Sequence, residues 1–156
     1  MKRFNVRVYG LLFDNGRVLV SDEHINGTNM TKFPGGGLEF GESTRQCLVR
    51  EFMEELNLRV DVLSHYYTTD FFVQSAFDAN SQIISVYYRV CALEPIGVKI
   101  AQAPFEFTVK EGAQAFRWID CSQISGNDFT FAIDKHVGDM LGGISVSPVQ
   151  ALPPFD

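Results

Sequence analysis

The sequence predicts an α/β (α+β) sandwich, with helices packed on a mixed sheet. Three observations lead there. Runs rich in Val, Ile, Tyr and Phe recur along the chain with turn residues between them. Only two segments repeat apolar residues at helical spacing. Those two lie far apart, one early and one late, so most strands must join through hairpins. At 156 residues the chain has one domain's length and can bury a real core.

Residues 4–13 begin with Phe4, Val6 and Val8 alternating with Asn5 and Arg7, then become wholly apolar. Asp14-Asn15-Gly16 reads as a hairpin turn, with Gly free to take positive φ, and 17–21 as the returning strand. Residues 22–31 are polar and read as a loop. Lys32-Phe33-Pro34 leads into Gly35-Gly36-Gly37, where regular structure is expected to break. The segment 43–56 is the clearest helix. Ser43 suits the N-cap, and Gln46 three residues on completes a capping box. Leu48, Val49, Phe52, Met53 and Leu56 share one face. Asn57 stands where a left-handed C-cap is needed, a position that favours Gly and then Asn. Residues 59–73, 83–93 and 115–119 read as strands, 94–112 as irregular, and 128–141 as a second amphipathic helix ended by Gly142.

Thirteen Lys and Arg against nineteen Asp and Glu give a net charge of −6, which argues against a surface that tracks long nucleic acid. The charge is uneven. Glu39, Glu42, Glu51, Glu54 and Glu55 fall within 39–55, which with Arg45 and Arg50 holds half of the net charge. The start has no signal-peptide pattern, and the one long uncharged run, 140–155, is broken by Gly and Pro, so no membrane span is expected. Cys47, Cys91 and Cys121 are odd in number and lack zinc spacing. A reduced, cytoplasmic protein is the expectation.

On the early helix, Glu51, Glu54 and Glu55 lie opposite the Leu48/Phe52/Leu56 stripe. Like charges at i,i+3 and i,i+4 weaken an isolated helix by roughly 0.2–0.5 kcal/mol per pair. A divalent cation would reverse that, and carboxylate oxygens suit Mg²⁺ or Mn²⁺. Gly35, Gly36 and Gly37 bring bare backbone near this surface, suited to a phosphate or to a carbonyl ligand for a metal. The other reading is a solvated acidic helix face.

The combined spacing shifts the balance between them. Gly36, five residues, Glu42, seven residues, Arg50-Glu51-Phe52, one residue, Glu54-Glu55, one residue, Asn57-Leu58 resembles the Nudix box. Every fixed position matches except the final Gly, which is Asn57 here. The approach 33–43 (FPGGGLEFGES) also resembles that of the family. The resemblance implies a Nudix-like α/β/α sandwich, helices on both faces of a mixed sheet, in a single domain 1–143, with a Pro-containing tail 144–156 outside it.

It also implies hydrolysis, by water attack on phosphorus, of the diphosphate linkage in a nucleoside diphosphate joined to another moiety, with Mg²⁺ or Mn²⁺. Glu54 and Glu55 would be the leading metal ligands, Glu51 would share that task, and one of the three would act on the attacking water. Arg50 would orient them, Glu42 would serve the loop, and the Gly36 carbonyl would be a further ligand. Glu111 is placed like the extra carboxylate that some members use, catalytic and metal-binding; its other reading is an ordinary loop glutamate, and Asp70 and Glu106 are alternatives. Phe33, Tyr66, Tyr67, Phe71, Phe72 and Phe77 are candidate walls for a base. Asp134, in the 129–134 segment, would accept a hydrogen bond from that base or be a surface residue. The partner is thus a small nucleotide, a nucleoside triphosphate or ADP-ribose-like molecule. A homodimer is an open alternative, with the tail covering a partner or its own sheet edge. Two other functions remain: a Nudix-fold sensor that binds a nucleotide without turnover, and an isopentenyl diphosphate isomerase using Cys47.

Overall fold

The computed structural model describes residues 1–143; the expected tail, 144–156, lies outside the described residues. β1 (Arg3–Asp14) turns through Asn15-Gly16, both at positive φ, into β2 (Arg17–Ile25). β2 runs past the expected end at Ser21. A second Asn-Gly pair, Asn26-Gly27, again at positive φ, turns it into β3 (Thr28–Lys32). The polar stretch 22–31 is therefore a hairpin rather than a loop. Its polarity reflects inward-facing charge: Asp22, Glu23, Thr31 and Lys32 are all buried.

The glycines do not break regular structure either. Gly35–Gly37 is β4, antiparallel to β1 with Gly36 opposite Val8 and Gly37 opposite Arg7. A Cβ on Gly35 would strike the Val8 carbonyl, so no other residue fits this pairing. α1 (Thr44–Leu56) carries the expected capping box, and Asn57 closes it at φ 47, ψ 43, donating its N–H to Met53 O. Leu48, Phe52 and Leu56 are buried as expected, but Val49 and Met53 are 41% and 39% exposed. Cys47 fills the core position in their stead, its Sγ 3.5 Å from Gly37 O, because the helix lies close against the glycine strand.

β5 (Val60–Thr68) ends short of residue 73, after two register shifts, and β6 (Ser81–Ala92) begins two residues early. β7 (Gln114–Asp120) follows the irregular segment and pairs with β2. The late helix starts at Ala132 rather than 128. A 3-10 turn, Gly126–Asp128, comes first, and Phe129 and Phe131 are extended between it and α2 (Ala132–Leu141).

The strand order is β3-β2-β1-β6-β5, with β4 added on β1 and β7 on β2. β1 and β6 are parallel and the other pairs antiparallel, so the sheet is mixed. α1 packs its stripe on Val8 and Leu12, while α2 packs Ile133 and Val137 with Tyr9 and Leu11. Neighbouring strand residues point to opposite faces, so the helices cover opposite faces of the sheet. β1 pairs with β2 only through Phe13 and Asp14; further back β4 takes that edge of β1. The β2–β3 hairpin therefore splays away from the first half of β1, and a cavity forms in the gap.

Asp134 ties α2 to the sheet. Expected as a surface residue or a base acceptor, it is 3% exposed and accepts the Tyr87 hydroxyl at 2.6 Å. Burial pushes its carboxyl up to about 6. An acid whose pKa rises on folding favours the folded state most below its unfolded value. That contribution is lost as pH climbs through about 6. Asp134→Asn keeps an acceptor for Tyr87 and removes the ionisation. Against wild type, its relative stability is expected to gain roughly 1.4 kcal/mol between pH 5 and 7.5, read as a shift in thermal midpoint. At the α1 cap, Asn57→Gly should leave the urea midpoint unchanged or higher, and Asn57→Val should lower stability by about 1–2 kcal/mol.

Candidate metal and nucleotide site

α1 turns two of its glutamates inward. The Glu51 carboxylate occupies the space that a Cβ on Gly36 would need. Its side chain is 13% exposed, and that of Glu54, a turn later, is 57% exposed. Glu55 faces Lys32 and Glu23, and its Oε2 is shielded from water with no hydrogen-bond partner. Burial pushes this carboxyl up to about 7; Glu23 and Glu51 reinforce the shift and Lys32 opposes it.

Arg50 holds the set together. Nε and Nη2 donate to the two oxygens of Glu42 at 3.0 and 2.7 Å. Nη1 donates to Glu51 at 3.0 Å and to Glu54 at 3.2 Å, and Nη2 also reaches Gly37 O at 3.1 Å. The Arg50 bond holds Glu42 down at about 2, helped by the Glu39 N–H. Cys47 behaves oppositely: burial pushes its thiol up to about 12, which removes the thiolate an isomerase nucleophile would need.

Gly35, Gly36, Gly37, Arg50, Glu51, Glu54 and Glu55 thus come together where β4 meets α1. Glu111 holds a different partner. It is exposed on the turn before β7, and both its oxygens accept the Asn26 N–H at the tip of the β2–β3 hairpin. Asp70 accepts the Tyr67 hydroxyl and Glu106 the Gln102 N–H.

Among the described residues no three of His, Cys, Asp and Glu converge tightly enough to be a ready metal cage. Glu54 is drawn to Arg50 Nη1 instead. The donor set nonetheless fits a small hard cation: oxygen ligands only, and two buried carboxylate oxygens, Glu55 Oε2 and Glu23 Oε2, that accept no hydrogen bond.

Beside this group lies a cavity of about 450 Å³. Its floor carries Arg7 and Tyr9 from β1, Glu23 from β2, Lys32 from β3, Tyr87 from β6 and Asp134 from α2. Lys32 Nζ stands 3.1 Å from Glu23 Oε2. Gln114 Nε2 donates to Glu23 Oε1 at 3.2 Å. Phe77 and Phe131 form an outer wall, their ring centroids 6.1 Å apart and edge to face.

Of the candidate aromatic walls only Phe77 lines this cavity. Phe33 stacks on Phe129 in the core at 4.5 Å, and Tyr66, Tyr67 and Phe71 pack against the core beneath α2. Phe131 falls in the 129–134 segment singled out from the sequence, whereas Arg7, Glu23 and Lys32 are additional. The signal that points to them is polar residues spaced two apart on neighbouring strands, Asn5 and Arg7 on β1 and Ser21 and Glu23 on β2.

A family model described as the NUDIX domain matches residues 1–137. The chain belongs to the Nudix family. Solved structures agree on the fold. A NUDIX hydrolase from Nitrosomonas europaea superposes with a TM-score of 0.65 at 17% identity over 98% of both chains. The MutT protein from Methanosarcina mazei Go1 gives 0.66 at 16% identity, covering 90% of this chain and 94% of that one. An ADP-ribose pyrophosphatase from Streptococcus suis 89-1591 gives 0.52 at 17% identity, covering 88% and 86%. The Nudix box identified above is the β4–α1 unit, and its one departure, Asn57, keeps the left-handed cap.

Arg50 neutralises and aims three carboxylates through a planar fork that Lys cannot reproduce. Arg50→Lys and Arg50→Ala are both expected to weaken Mn²⁺ binding by about 10- to 100-fold, read by titration of the paramagnetic ion.

Proposed function

We propose that this member of the Nudix family is a hydrolase that cleaves the diphosphate linkage of a nucleoside diphosphate joined to another group, a nucleoside triphosphate or an ADP-ribose-like molecule, with Mg²⁺ or Mn²⁺. The observation that carries the reading is the junction of two unlike surfaces. An acidic helix with a buried, unpartnered carboxylate meets a cavity whose floor holds Arg7 and Lys32 and whose rim holds two phenylalanines. A molecule that fits both must carry phosphates at one end and a flat organic group at the other.

Glu51, Glu54 and Glu55 would hold the cation, with the Gly36 carbonyl beside them. A cation held there would supply charge stabilisation at phosphorus and a more acidic water. Arg50, braced by Glu42, keeps Glu51 and Glu54 in position, Lys32 faces Glu55, and one of the three glutamates would take the proton of the attacking water. Lys32 stands between Glu55 and Glu23, where it offsets carboxylate charge and faces the cavity. Glu111, turned to Asn26, has no part in this reading.

The test is a panel of nucleoside triphosphates, oxidised nucleoside triphosphates, ADP-ribose, other nucleotide sugars and dinucleoside polyphosphates, with phosphorus products followed. Turnover is expected to vanish in EDTA and to return with Mg²⁺ or Mn²⁺. Glu54→Gln and Glu55→Gln are expected to lower kcat by about 100-fold or more, since a metal contributes several kcal/mol to charge stabilisation. Nucleotide-induced thermal stabilisation without metal-dependent turnover of any substrate would instead mark a sensor.

A further inference from the structure

One charged group on the cavity floor, Arg7, faces both surfaces with its terminal nitrogens uncommitted. Its Nε donates to the Tyr9 hydroxyl at 2.7 Å, and the guanidinium lies 5.7 Å from the Tyr9 ring centroid. Those contacts fix the plane of the guanidinium. Among the described residues neither terminal nitrogen has a hydrogen-bond or ion-pair partner. Arg7 is half-buried and lines the cavity, so these donors are held there unsatisfied by protein.

Their position is specific. A Cβ on Gly37 would lie 3.8 Å from Arg7 Nη1, and one on Gly36 would collide with the Glu51 carboxylate. Gly36 and Gly37 are adjacent on β4, opposite Val8 and Arg7 on β1. The fork therefore sits one strand position from the carboxylate group, on the cavity side of it. Lys32, by contrast, is already committed to Glu23. A free guanidinium fork is matched in geometry to two oxygens of one phosphate.

Building on the hydrolase reading above, we infer that Arg7 grips the phosphate that stays on the nucleoside, placing the nucleoside in the cavity and the scissile bond toward α1. The occupant is thus a nucleoside 5′-phosphate group. The other moiety extends out past the box. The fixed fork sets the distance between the organic group and the bond to be cut, and so decides which phosphorus faces the carboxylates. Tyr9 is a positioning residue in this arrangement and does not itself touch the phosphate.

The test uses the full chain in EDTA, so that no cation contributes. Calorimetric titration compares the common nucleosides, their 5′-monophosphates, ribose 5-phosphate and glucose 1-phosphate on wild type, Arg7→Gln and Arg7→Lys, with thermal midpoints confirming that the variants fold. At least one monophosphate is expected to bind wild type about 10- to 100-fold tighter than its nucleoside, the range for hydrogen bonds to a charged group. Arg7→Gln should erase that gap while nucleoside affinity stays within about twofold, and Arg7→Lys should restore only part of it.

A gap that survives in Arg7→Gln would overturn the assignment. So would equal binding of nucleoside and monophosphate by wild type, or no binding of either. Ribose 5-phosphate or glucose 1-phosphate binding as tightly as the nucleotide would overturn the nucleoside as occupant. Hydrolysis of the substrate panel is read separately. Metal-dependent turnover with an unchanged gap sinks the Arg7 assignment alone. A gap lost in Arg7→Gln without turnover of any substrate sinks the hydrolase reading and keeps the phosphate grip.

Discussion

The carboxylate of Glu51 lies where any side chain on Gly36 would have to be. Much of the site follows from that close approach. With side chains on β4, α1 would be pushed off β1, and its acidic face would lie in water. With none, the helix settles deep enough for Cys47 to reach Gly37 O and for Phe52 to press on Gly10, where again no Cβ would fit. Phe52 and Gly10 hold the helix from the apolar side. Arg50, bonded to Gly37 O, holds it from the charged side. The depth of the helix then decides which glutamates are inward. Glu51 and Glu55 are; Glu54, a step round, is not.

Bringing carboxylates inward has an electrostatic cost, and the structure meets it unevenly. Around Glu42, Glu51 and Glu54, one guanidinium answers several charges at hydrogen-bond distance. Around Glu55 the compensation is incomplete. Lys32 is shared with Glu23, and an oxygen of Glu55 is left with no donor. A buried polar atom without a partner is rare in a folded protein and concentrates where function demands it. The frustration is local to Glu55 and Glu23, whose Oε2 atoms accept no hydrogen bond, while Arg50 answers Glu42, Glu51 and Glu54.

How much of this was legible in the chain depends on whether the signal was local. α1 was legible because its boundaries are set within a few residues: Ser43 and Gln46 cap one end and Asn57 the other. The box was legible because its residues lie along one loop and one helix. The β2–β3 hairpin was missed although Asn26-Gly27 marks its turn. Its buried side chains are Asp22, Glu23, Thr31 and Lys32, so the apolar alternation that announces a strand is absent. Val49 and Met53 match the helical stripe, yet only tertiary packing decides how wide a stripe the sheet can cover. Asp134 had no local mark at all, since its partner Tyr87 lies on another element far along the chain. The cavity arises from the splay between β1 and β2, and a splay is set by which strand takes an edge, here β4.

The same geometry resolves an apparent conflict in charge. An acidic chain of net −6 is a poor partner for anything carrying several phosphates. Charges on an exposed surface, however, are screened over a Debye length of about 8 Å at physiological ionic strength, while partly buried charges are screened far less. Arg7 and Lys32 lie in the cavity, and half of the negative excess lies in the window that would face the cation. A short polyphosphate entering the gap therefore meets cations at contact distance. A long one would also have to cross the acidic exterior, whose repulsion adds along its length. Under the proposed function, charges placed this way favour a small phosphate-bearing molecule, with net charge acting on what stays outside.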